Sequence, residues 1–537
     1  MKERAILKNK LYLYLTEFFS GMSVMAVELG ASRLLAPYFS SSQIVWTIII
    51  GTIMIAMALG NVYGGRSADK DPDPDRLYGR IIIAAVWIAL IPVVGKYIII
   101  GIAGALIFTV SSNFLVIAAF ASCMVVFVFP LFLLGTVTPS LVKYCLLVSQ
   151  KDSAEEGRTV GNLNAFNTVG SIIGTFVPTF ISIPAVGTAI TFLIFAGILL
   201  LLALLYFISS KVFVKKMPAA GILFLLACIF GHDGSFAFWL NDLTYEGESV
   251  YNYLQVYENE NQVVLSTNVL FGVQSVYRKE KELTGMYYDY AMAAAYMAGV
   301  KEKDGLDVLI LGMGTGTYAT QCRRYFDNMR IEGVEIDDRI TALAREYFEL
   351  PPEVPVSTYD GRAYLNAVNG KYDLIMVDAY QDIIIPFQMS SVEFFTMVRD
   401  HLKEDGVMVV NMNMRSNEAG NITEYLSDTI SSVFPAVYTA DVQGSTNREL
   451  FASMRMDIPA RMEENLSGET ARDLAWMMGN VRDRLVAYQG GGHIMTDDRA
   501  PVELLGMRVI DGLIAEEMGY YKEIYRERGL EGLLEYL

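Results

Sequence analysis

Long apolar runs dominate the first 231 residues of the chain, and short polar or Gly/Pro-rich stretches separate them. The runs cover residues 11–32, 44–64, 79–95, 97–111, 114–137, 162–184, 187–209 and 217–231. A helix that crosses a bilayer needs about 20 mostly apolar residues, so the runs at 97–111 and 217–231 are short enough to be re-entrant or interfacial. The pattern predicts a multi-pass α-helical membrane domain over residues 1–232, with six or eight crossings.

The orientation of this domain follows from its basic residues. The first run comes after the basic segment MKERAILKNK, and no small-residue cleavage site follows it, so we expect a retained span with its N-terminus in the cytoplasm. Six crossings would place Lys143, Lys151, Arg158 and the KVFVKK segment on the cytoplasmic side, whereas eight would use every run. Either even number predicts a protein of the cell membrane whose second half is cytoplasmic.

Polar and small residues inside the apolar runs have more than one interpretation. Glu28 and Arg33 lie in or at the edge of the first run, where a charge marks either a pathway or a structural ion pair. Gly170 and Gly174 have the GxxxG spacing that is typical of closely packed membrane helices. We expect the two glycines to serve packing.

After residue 306 the hydrophobic pattern changes to apolar strands that alternate with amphipathic helices. The strands are predicted within DVLILGMG, RIEGVEID, VPVSTYD, YDLIMVDA and GVMVVNMN. Continuous apolar strands joined by helices indicate a parallel sheet that is covered on both faces. We therefore predict a doubly wound α/β, Rossmann-like domain over residues 301–537. A small β domain over residues 240–300 should precede it, because alternating strands there surround a turn at residues 258–261.

The residues at the carboxyl ends of these strands have the chemistry of a nucleoside site, which doubly wound sheets place beyond those ends. A glycine loop follows the first strand and lets the backbone approach a ligand at a helix N-terminus. An acid about 20 residues further on stands where ribose hydroxyls are bound. In chain order the strand-end residues are Gly312, Gly314, Gly316, Glu335, Asp360, Gly361 and Asp378. Because no GK[ST] loop follows the glycines, S-adenosylmethionine or a relative fits better than ATP.

Composition and charge separate the two halves further. Of 537 residues, 53% are hydrophobic and 19% charged, which excludes a disordered chain and a single small domain, and the long apolar runs exclude a soluble enzyme. Residues 1–231 contain 16 Lys and Arg against 10 Asp and Glu, whereas residues 232–537 contain 26 against 49. The acidic second half argues against a nucleic-acid partner and is compatible with a cationic substrate. The four scattered cysteines form no CxxC motif, so we expect no metal site.

The order of motifs over residues 245–505 resembles the spermidine synthase family of polyamine aminopropyltransferases, and the whole chain resembles its membrane-fused members. The motifs are YNYLQV, FGVQSVY, YYDY, the glycine loop, VEID, DG and an Asp-rich loop after the fourth strand. The resemblance implies transfer of an aminopropyl-type group from decarboxylated S-adenosylmethionine, or a related sulfonium nucleoside, to a small amine or polyamine. It also implies that no metal is needed, and it suggests a homodimer.

The resemblance assigns roles to individual residues. Gln274, Glu335 and Asp360 would bind the nucleoside, Glu335 at the ribose and Asp360 at the adenine. Asp378 would be the catalytic base with Tyr287 beside it, and Tyr288 and Asp382 would lie near the amine. The chemistry agrees with these residue types, because an amine that attacks a sulfonium carbon must lose a proton and a carboxylate can accept it.

Two departures from the family pattern concern the donor. Thr315 stands where the family has an acid that holds the amino end of the aminopropyl group, and Asp378 and Asp382 are four residues apart rather than three. The donor could therefore be S-adenosylmethionine itself, with Thr315 at its tail, in methyl or aminocarboxypropyl transfer. A third alternative is a transporter or sensor whose α/β domain binds the nucleoside without chemistry.

Overall fold

The computed structural model divides the chain into two compact units, Met1–Trp239 and Leu240–Leu537, called here the helical unit and the α/β unit. It describes residues 5–107, 110, 113–148, 156–212, 216–232, 235–238, 240, 243–269, 273–280, 283–379, 385–416 and 418–534.

The helical unit is built from long apolar helices. They are α1 (Lys10–Phe39), α2 (Gln43–Lys70), α3 (Pro74–Ile107), α4 (Phe114–Val126), α5 (Val128–Gly135), α6 (Val137–Val148), α7 (Glu156–Val177), α8 (Ile183–Ser209) and α9 (Lys216–Phe230). Polar side chains begin the first two, since Asn9 accepts a hydrogen bond from the Leu11 N–H and Ser42 from the Val45 N–H. A π-helical turn, Pro178–Ser182, joins α7 to α8.

Five helical segments of the described chain are long and apolar enough to cross a membrane. They are Lys10–Phe39, Gln43–Lys70, Pro74–Ile107, Val128–Leu147 and Glu156–Ser209. The last is 54 residues long and contains both α7 and α8, and two shorter apolar helices cover Phe114–Val126 and Met217–Phe230. The first four segments, of 20 to 34 residues, suit a hydrocarbon layer about 30 Å thick, and the fifth is long enough for two crossings.

The two apolar runs at 79–95 and 97–111 do not form separate segments. Residues 79–95 and 97–107 belong to the single helix α3 of 34 residues, so the prediction that the second run is a separate re-entrant or interfacial segment is wrong. Lys96, which interrupts the apolar pattern, donates a hydrogen bond from Nζ to the carbonyl oxygen of Ser235 at 2.8 Å. Lysine is itself a good helix former, so a single charge inside an apolar run interrupts the hydropathy pattern without ending the helix.

The glycine pair of α7 lies directly against α1. A Cβ atom at Gly170 would overlap the carbonyl oxygen of Phe18, and one at Gly174 would overlap that of Met22. Asn167 on the same helix donates to Glu17 Oε2 at 3.1 Å, which adds a polar contact between the two helices. The packing interpretation of the GxxxG spacing is confirmed.

The α/β unit begins with a four-stranded antiparallel sheet in the order β1-β2-β3-β4. Its strands are β1 (Leu243–Glu248), β2 (Tyr253–Glu258), β3 (Gln262–Ser266) and β4 (Ser275–Arg278). The turn between β2 and β3 forms because the Asn259 side chain accepts from the backbone N–H groups of Asn261 and Gln262. Two short buried helices follow, α10 (Tyr287–Ala291) and α11 (Ala293–Met297).

An eight-stranded sheet forms the centre of this unit. Its strands are β5 (Leu306–Leu311), β6 (Met329–Glu335), β7 (Val356–Thr358), β8 (Tyr372–Val377), β9 (Leu402–Met412), β10 (Ala436–Asp441), β11 (Arg448–Ser453) and β12 (Val486–Ala487). The helices between and after them are α12 (Thr317–Tyr325), α13 (Asp338–Tyr347), α14 (Gly361–Ala367), α15 (Val392–His401), α16 (Ile422–Ser431), α17 (Ile458–Leu466), α18 (Arg472–Arg484) and α19 (Val502–Leu534).

The strand order is β12-β10-β11-β9-β8-β5-β6-β7. The strands β5 to β9 are parallel to one another, as the alternating pattern predicts, whereas β11, β10 and β12 extend the sheet beyond β9 through antiparallel pairs. The order in which strands are added reverses at β5, because β6 and β7 lie on one side of it and β8 lies on the other, parallel to it. Such a switch point is where open α/β sheets bind ligands, beyond the carboxyl ends of the strands.

Candidate active site

The glycine loop after β5 comes against the chain segment that follows β8. Gly312, Gly314 and Gly316 have φ values of 83°, 54° and 77°, which favour glycine over residues with a Cβ atom. A Cβ atom at Gly312 would lie 2.5 Å from the carbonyl oxygen of Asp378 and 2.6 Å from Cα of Ala379. Two of the predicted strand ends are therefore in direct contact.

Glu335, the last residue of β6, is tied to the same loop. Its side chain is 7% exposed; Oε2 accepts the Gly314 N–H at 2.8 Å and Oε1 accepts the Asp337 N–H at 3.1 Å. Burial raises the pKa of this carboxyl group. Because each oxygen can accept a second hydrogen bond, the group remains able to bind a pair of hydroxyls at the tip of the glycine loop.

Asp360 and Gly361 follow β7. Asp360 is half-buried and begins α14, where its Oδ1 accepts the Ala363 N–H at 2.8 Å. The second oxygen takes no part in this cap. A Cβ atom at Gly361 would lie 3.3 Å from Cε of Met389, so this position is closely packed.

Gln274 precedes β4 and has an unsatisfied side-chain oxygen. Its Oε1 is buried and has no hydrogen-bond partner within the described part of the chain. Its backbone is fixed, since the Gln274 N–H donates to the Leu265 carbonyl at 2.9 Å and Tyr288 Oη donates to the Gln274 carbonyl at 3.3 Å. A buried acceptor without a partner fits a site where a ligand supplies the donor.

Asp378, directly after β8, is held by two side chains from other elements. Its Oδ2 accepts from Tyr287 Oη at 2.8 Å, and its Oδ1 accepts from Asn411 Nδ2 at 2.9 Å. Burial raises the pKa of Asp378 to about 7, the two hydrogen bonds oppose the rise, and the charge of Glu335 adds to it. A carboxyl group with a pKa near the working pH is suited to proton transfer.

Tyr287 and Tyr288 begin α10 and are both buried, at 8% and 2% exposed. Their ring centroids are 4.0 Å apart. Burial and the charge of Asp378 raise the pKa of Tyr287 far above its ordinary value, so its hydroxyl stays protonated and donates to the carboxylate. Tyr288 reaches the Gln274 carbonyl instead, so the two rings serve different parts of the site.

The remaining predicted residues lie apart from these contacts. Thr315 is fully buried, and its hydroxyl is 3.1 Å from that of Thr317, which itself donates to the Val276 carbonyl at 3.1 Å. Its place at the tail of a donor stays a prediction. Asp382 falls in residues 380–384, which lie outside the described residues.

Asn411 is a residue of this site that the sequence pattern did not single out. It lies on β9, is 3% exposed, and its Oδ1 accepts from Asn447 Nδ2 at 2.8 Å, which fixes the orientation of the amide. The signal that could have found it is its position at the carboxyl end of the fifth parallel strand, next to the end of β8.

One cluster among the described residues has metal-ligand chemistry. Glu424, Asp428 and His493 have side-chain atoms within 4.8 Å of one another. Asp428 already accepts hydrogen bonds from Tyr488 Oη and from the N–H groups of Gly491 and His493. These bonds give the aspartate a structural role, because it holds the chain after β12 against α16.

Comparisons with known proteins agree on one family. Residues 288–443 match the spermine/spermidine synthase domain. A probable polyamine aminopropyl transferase of Bifidobacterium longum (strain NCC 2705) is 52% identical over 348 residues, covering 62% of this chain and 77% of that protein. The polyamine aminopropyltransferase of Vibrio vulnificus (strain CMCP6) is 25% identical over 246 residues, covering 44% of this chain and 80% of that protein.

Among solved structures, a probable spermidine synthase from Corynebacterium glutamicum ATCC 13032 has 19% identity and a TM-score of 0.35, covering 47% of this chain and 97% of that one. The assignment rests on the sequence matches. The Bifidobacterium relative is identical at about half of the aligned positions over most of its length. This chain is an enzyme of the aminopropyltransferase type and belongs to the spermidine synthase family.

Proposed function

We propose that the protein is a membrane-anchored aminopropyltransferase that takes its aminopropyl group from decarboxylated S-adenosylmethionine and transfers it to a diamine or polyamine. The observation that carries this proposal is the environment of the Asp378 carboxyl group. It lies at the switch point of the sheet, receives hydrogen bonds from Tyr287 and Asn411, and has a pKa of about 7.

The surroundings of the glycine loop support a nucleoside as the donor. Glu335 presents a fixed, buried carboxylate beside Gly314, and Gln274 has a buried oxygen without a partner in the described chain. Gly314 itself is open on its side-chain face, since a Cβ atom there would have Ser275 Oγ as its nearest neighbour at 3.6 Å. Glu335 would bind the ribose hydroxyls and Asp360 the adenine, with Gln274 as a further contact to the nucleoside.

The reaction requires little of the protein beyond positioning and one proton acceptor. The amine nitrogen forms a bond to the propyl carbon next to the sulfonium, the carbon–sulfur bond breaks, and sulfur keeps the electron pair. Methylthioadenosine leaves as a neutral molecule and needs no acid. The proton released from the amine goes to Asp378, and Tyr287 and Asn411 hold that carboxylate in place.

Product analysis tests this proposal. Full-length protein in detergent is incubated with a diamine and either decarboxylated S-adenosylmethionine or S-adenosylmethionine. We expect methylthioadenosine from the decarboxylated donor. Release of S-adenosylhomocysteine would replace the proposal with a methyltransferase, and nucleoside binding without any product would support a transporter or sensor.

Thr315 favours a second candidate function in which S-adenosylmethionine itself is the donor. The side chain is uncharged, and its hydroxyl is engaged with Thr317. A donor carboxylate would meet no repulsion from this position, so methyl or aminocarboxypropyl transfer has a physical basis here.

Thr315→Asp should shift donor preference toward the decarboxylated nucleoside by about tenfold or more. A charge pair about 4 Å apart at an effective dielectric near 20 is worth about 4 kcal/mol before desolvation, and tenfold needs only about 1.4 kcal/mol. Competitive binding of the two nucleosides to wild type and variant measures the ratio, with Thr315→Asn as the neutral control of similar size. An unchanged ratio would mean that Thr315 does not lie at the donor tail.

Membrane anchoring and a cytoplasmic α/β unit are part of the same proposal, as is a homodimer. The lengths of the apolar helices and the basic segment MKERAILKNK support the first two, and the homodimer rests on the family resemblance alone. A cysteine introduced at the exposed Glu464 on α17 should react with an impermeant maleimide only after cells are permeabilised. The parent protein, which lacks this cysteine, gives the background labelling. Labelling in intact cells would place the α/β unit outside and contradict its use of a cytosolic nucleoside.

A further inference from the structure

Glu449, the second residue of β11, is a fully buried acid. Its side chain is 0% exposed, and among the described residues neither carboxylate oxygen has a hydrogen-bond partner. Native proteins almost always satisfy such groups, because an unpaired buried polar group costs free energy and a buried charge costs far more. The exceptions therefore need an explanation.

The register of the sheet places Glu449 in line with the base. Val377 of β8 pairs with Val410 of β9, so the following residues, Asp378 and Asn411, are neighbours. Asn411 in turn pairs with Glu449 across the antiparallel β9–β11 ladder, where facing Cβ atoms are about 4.5–5.5 Å apart. Three polar side chains, an acid, an amide and an acid, thus form one row across three adjacent strands.

The face of the sheet on which Glu449 lies is the face of the site. Side chains alternate along a strand, so Glu449 and Phe451 point the same way. Phe451 belongs to the same buried cluster as Tyr287 of α10 and Tyr318 of α12, the helix that follows the glycine loop. Burial raises the pKa of Glu449 well above its ordinary value, and the charge of Asp378 adds to the rise.

In the described part of the chain, no Lys, Arg or His forms an ion pair with Glu449, and the causes of its pKa shift include no cation. The neighbours of Glu449 in the row are an amide and a second carboxyl group, and the glycine loop from Gly312 to Thr317 contributes no charged side chain. A substrate ammonium beside Glu449 would supply donors for the two orphan oxygens and would favour their ionised form.

We propose that Glu449 binds a primary ammonium group of a substrate, either the aminopropyl tail of the donor or the far end of a diamine acceptor. The inference rests on the proposed function and adds a specificity-determining carboxylate to it. Glu449 would then favour substrates that carry a charged amine at a fixed distance from the reacting nitrogen or carbon.

Glu449→Gln in the full-length protein tests the proposal, because it keeps the size and removes the charge. We expect the KM of the substrate whose ammonium binds there to rise about tenfold or more. Affinity for methylthioadenosine, which has the nucleoside but no ammonium, should remain unchanged. A higher KM for the donor would show that Glu449 binds the aminopropyl tail of the donor. A higher KM for the diamine would show that Glu449 binds the far end of the acceptor. Glu332→Gln on β6 is a matched control outside the site.

Both KM values within twofold of wild type, with methylthioadenosine still bound, would overturn the proposal and leave Glu449 a packing residue. If the glutamine variant loses methylthioadenosine binding as well, Glu449→Asp replaces it, since it keeps the charge but withdraws it by one methylene. For Glu449→Asp, a raised KM for either the donor or the diamine supports the proposal, and wild-type KM values for both overturn it. Failure of wild type to release methylthioadenosine from either donor is a different result, which contradicts the proposed function itself.

Discussion

Replacing Asp378 with asparagine is expected to lower kcat by roughly 10²–10⁴ while affinity for methylthioadenosine changes little. Asparagine keeps the shape of the side chain, and the Tyr287 hydroxyl can rotate to donate to it or accept from it, so the packing around Asn411 should survive. What the variant loses is the proton acceptor. Steady-state turnover and calorimetric titration of the same full-length preparation measure the two quantities.

The pH dependence of wild type gives this prediction a second readout. Asp378 must be ionised to accept a proton, and burial raises its pKa to about 7, so kcat/KM should rise as pH increases through that value. The hydrogen bond from Tyr287 lowers this pKa, so Tyr287→Phe should move the rise to higher pH. A fully active Asp378→Asn enzyme with an unchanged pH profile would remove Asp378 from the role of base.

Glu335→Ala is expected to weaken nucleoside binding by about 10²-fold or more. The carboxylate can accept two charge-assisted hydrogen bonds from the ribose, each worth on the order of 1.5–3 kcal/mol, and alanine offers neither. It also frees the Gly314 N–H, which Glu335 Oε2 accepts at 2.8 Å, so the glycine loop loses a restraint. Calorimetric titration with methylthioadenosine measures the loss.

Asp338→Ala is the matched control for this variant, because Asp338 is an exposed acid only three residues further along the chain. It should bind the nucleoside like wild type. Thermal unfolding of both variants separates a lost ligand contact from a lost fold. Wild-type affinity in a folded Glu335→Ala protein would show that the ribose binds elsewhere.

The parts of the site that sequence could predict are those that follow parallel strands directly. Gly312 and Asp378 directly follow buried apolar strands, Glu335 ends one, and Asp360 comes two residues after the short β7. Because parallel strands end at one edge of the sheet, this local pattern brings distant residues together. The contact between Gly312 and the carbonyl of Asp378 is the outcome of that rule.

The parts that sequence could not predict depend on long-range register. Asn411 and Glu449 meet only because β11 returns antiparallel beside β9, and no local pattern specifies that pairing. The hydrophobic pattern also gave a wrong prediction at α3, because the charge of Lys96 divides one helix into two apolar runs. Lys96 lies inside the helix and donates to the Ser235 carbonyl, 139 residues away, a contact that no local pattern specifies.

The central claim is that the α/β unit moves an aminopropyl group from a sulfonium nucleoside to an amine with Asp378 as base. Decarboxylated S-adenosylmethionine labelled with ¹³C in its propyl carbons tests it most directly, in the presence of a diamine and the full-length protein. The account predicts that the label appears in the polyamine product in equal amount to the methylthioadenosine released, and that Asp378→Asn slows both equally. Label that stays on the nucleoside while the amine becomes methylated, or no release of methylthioadenosine by wild type, would contradict it.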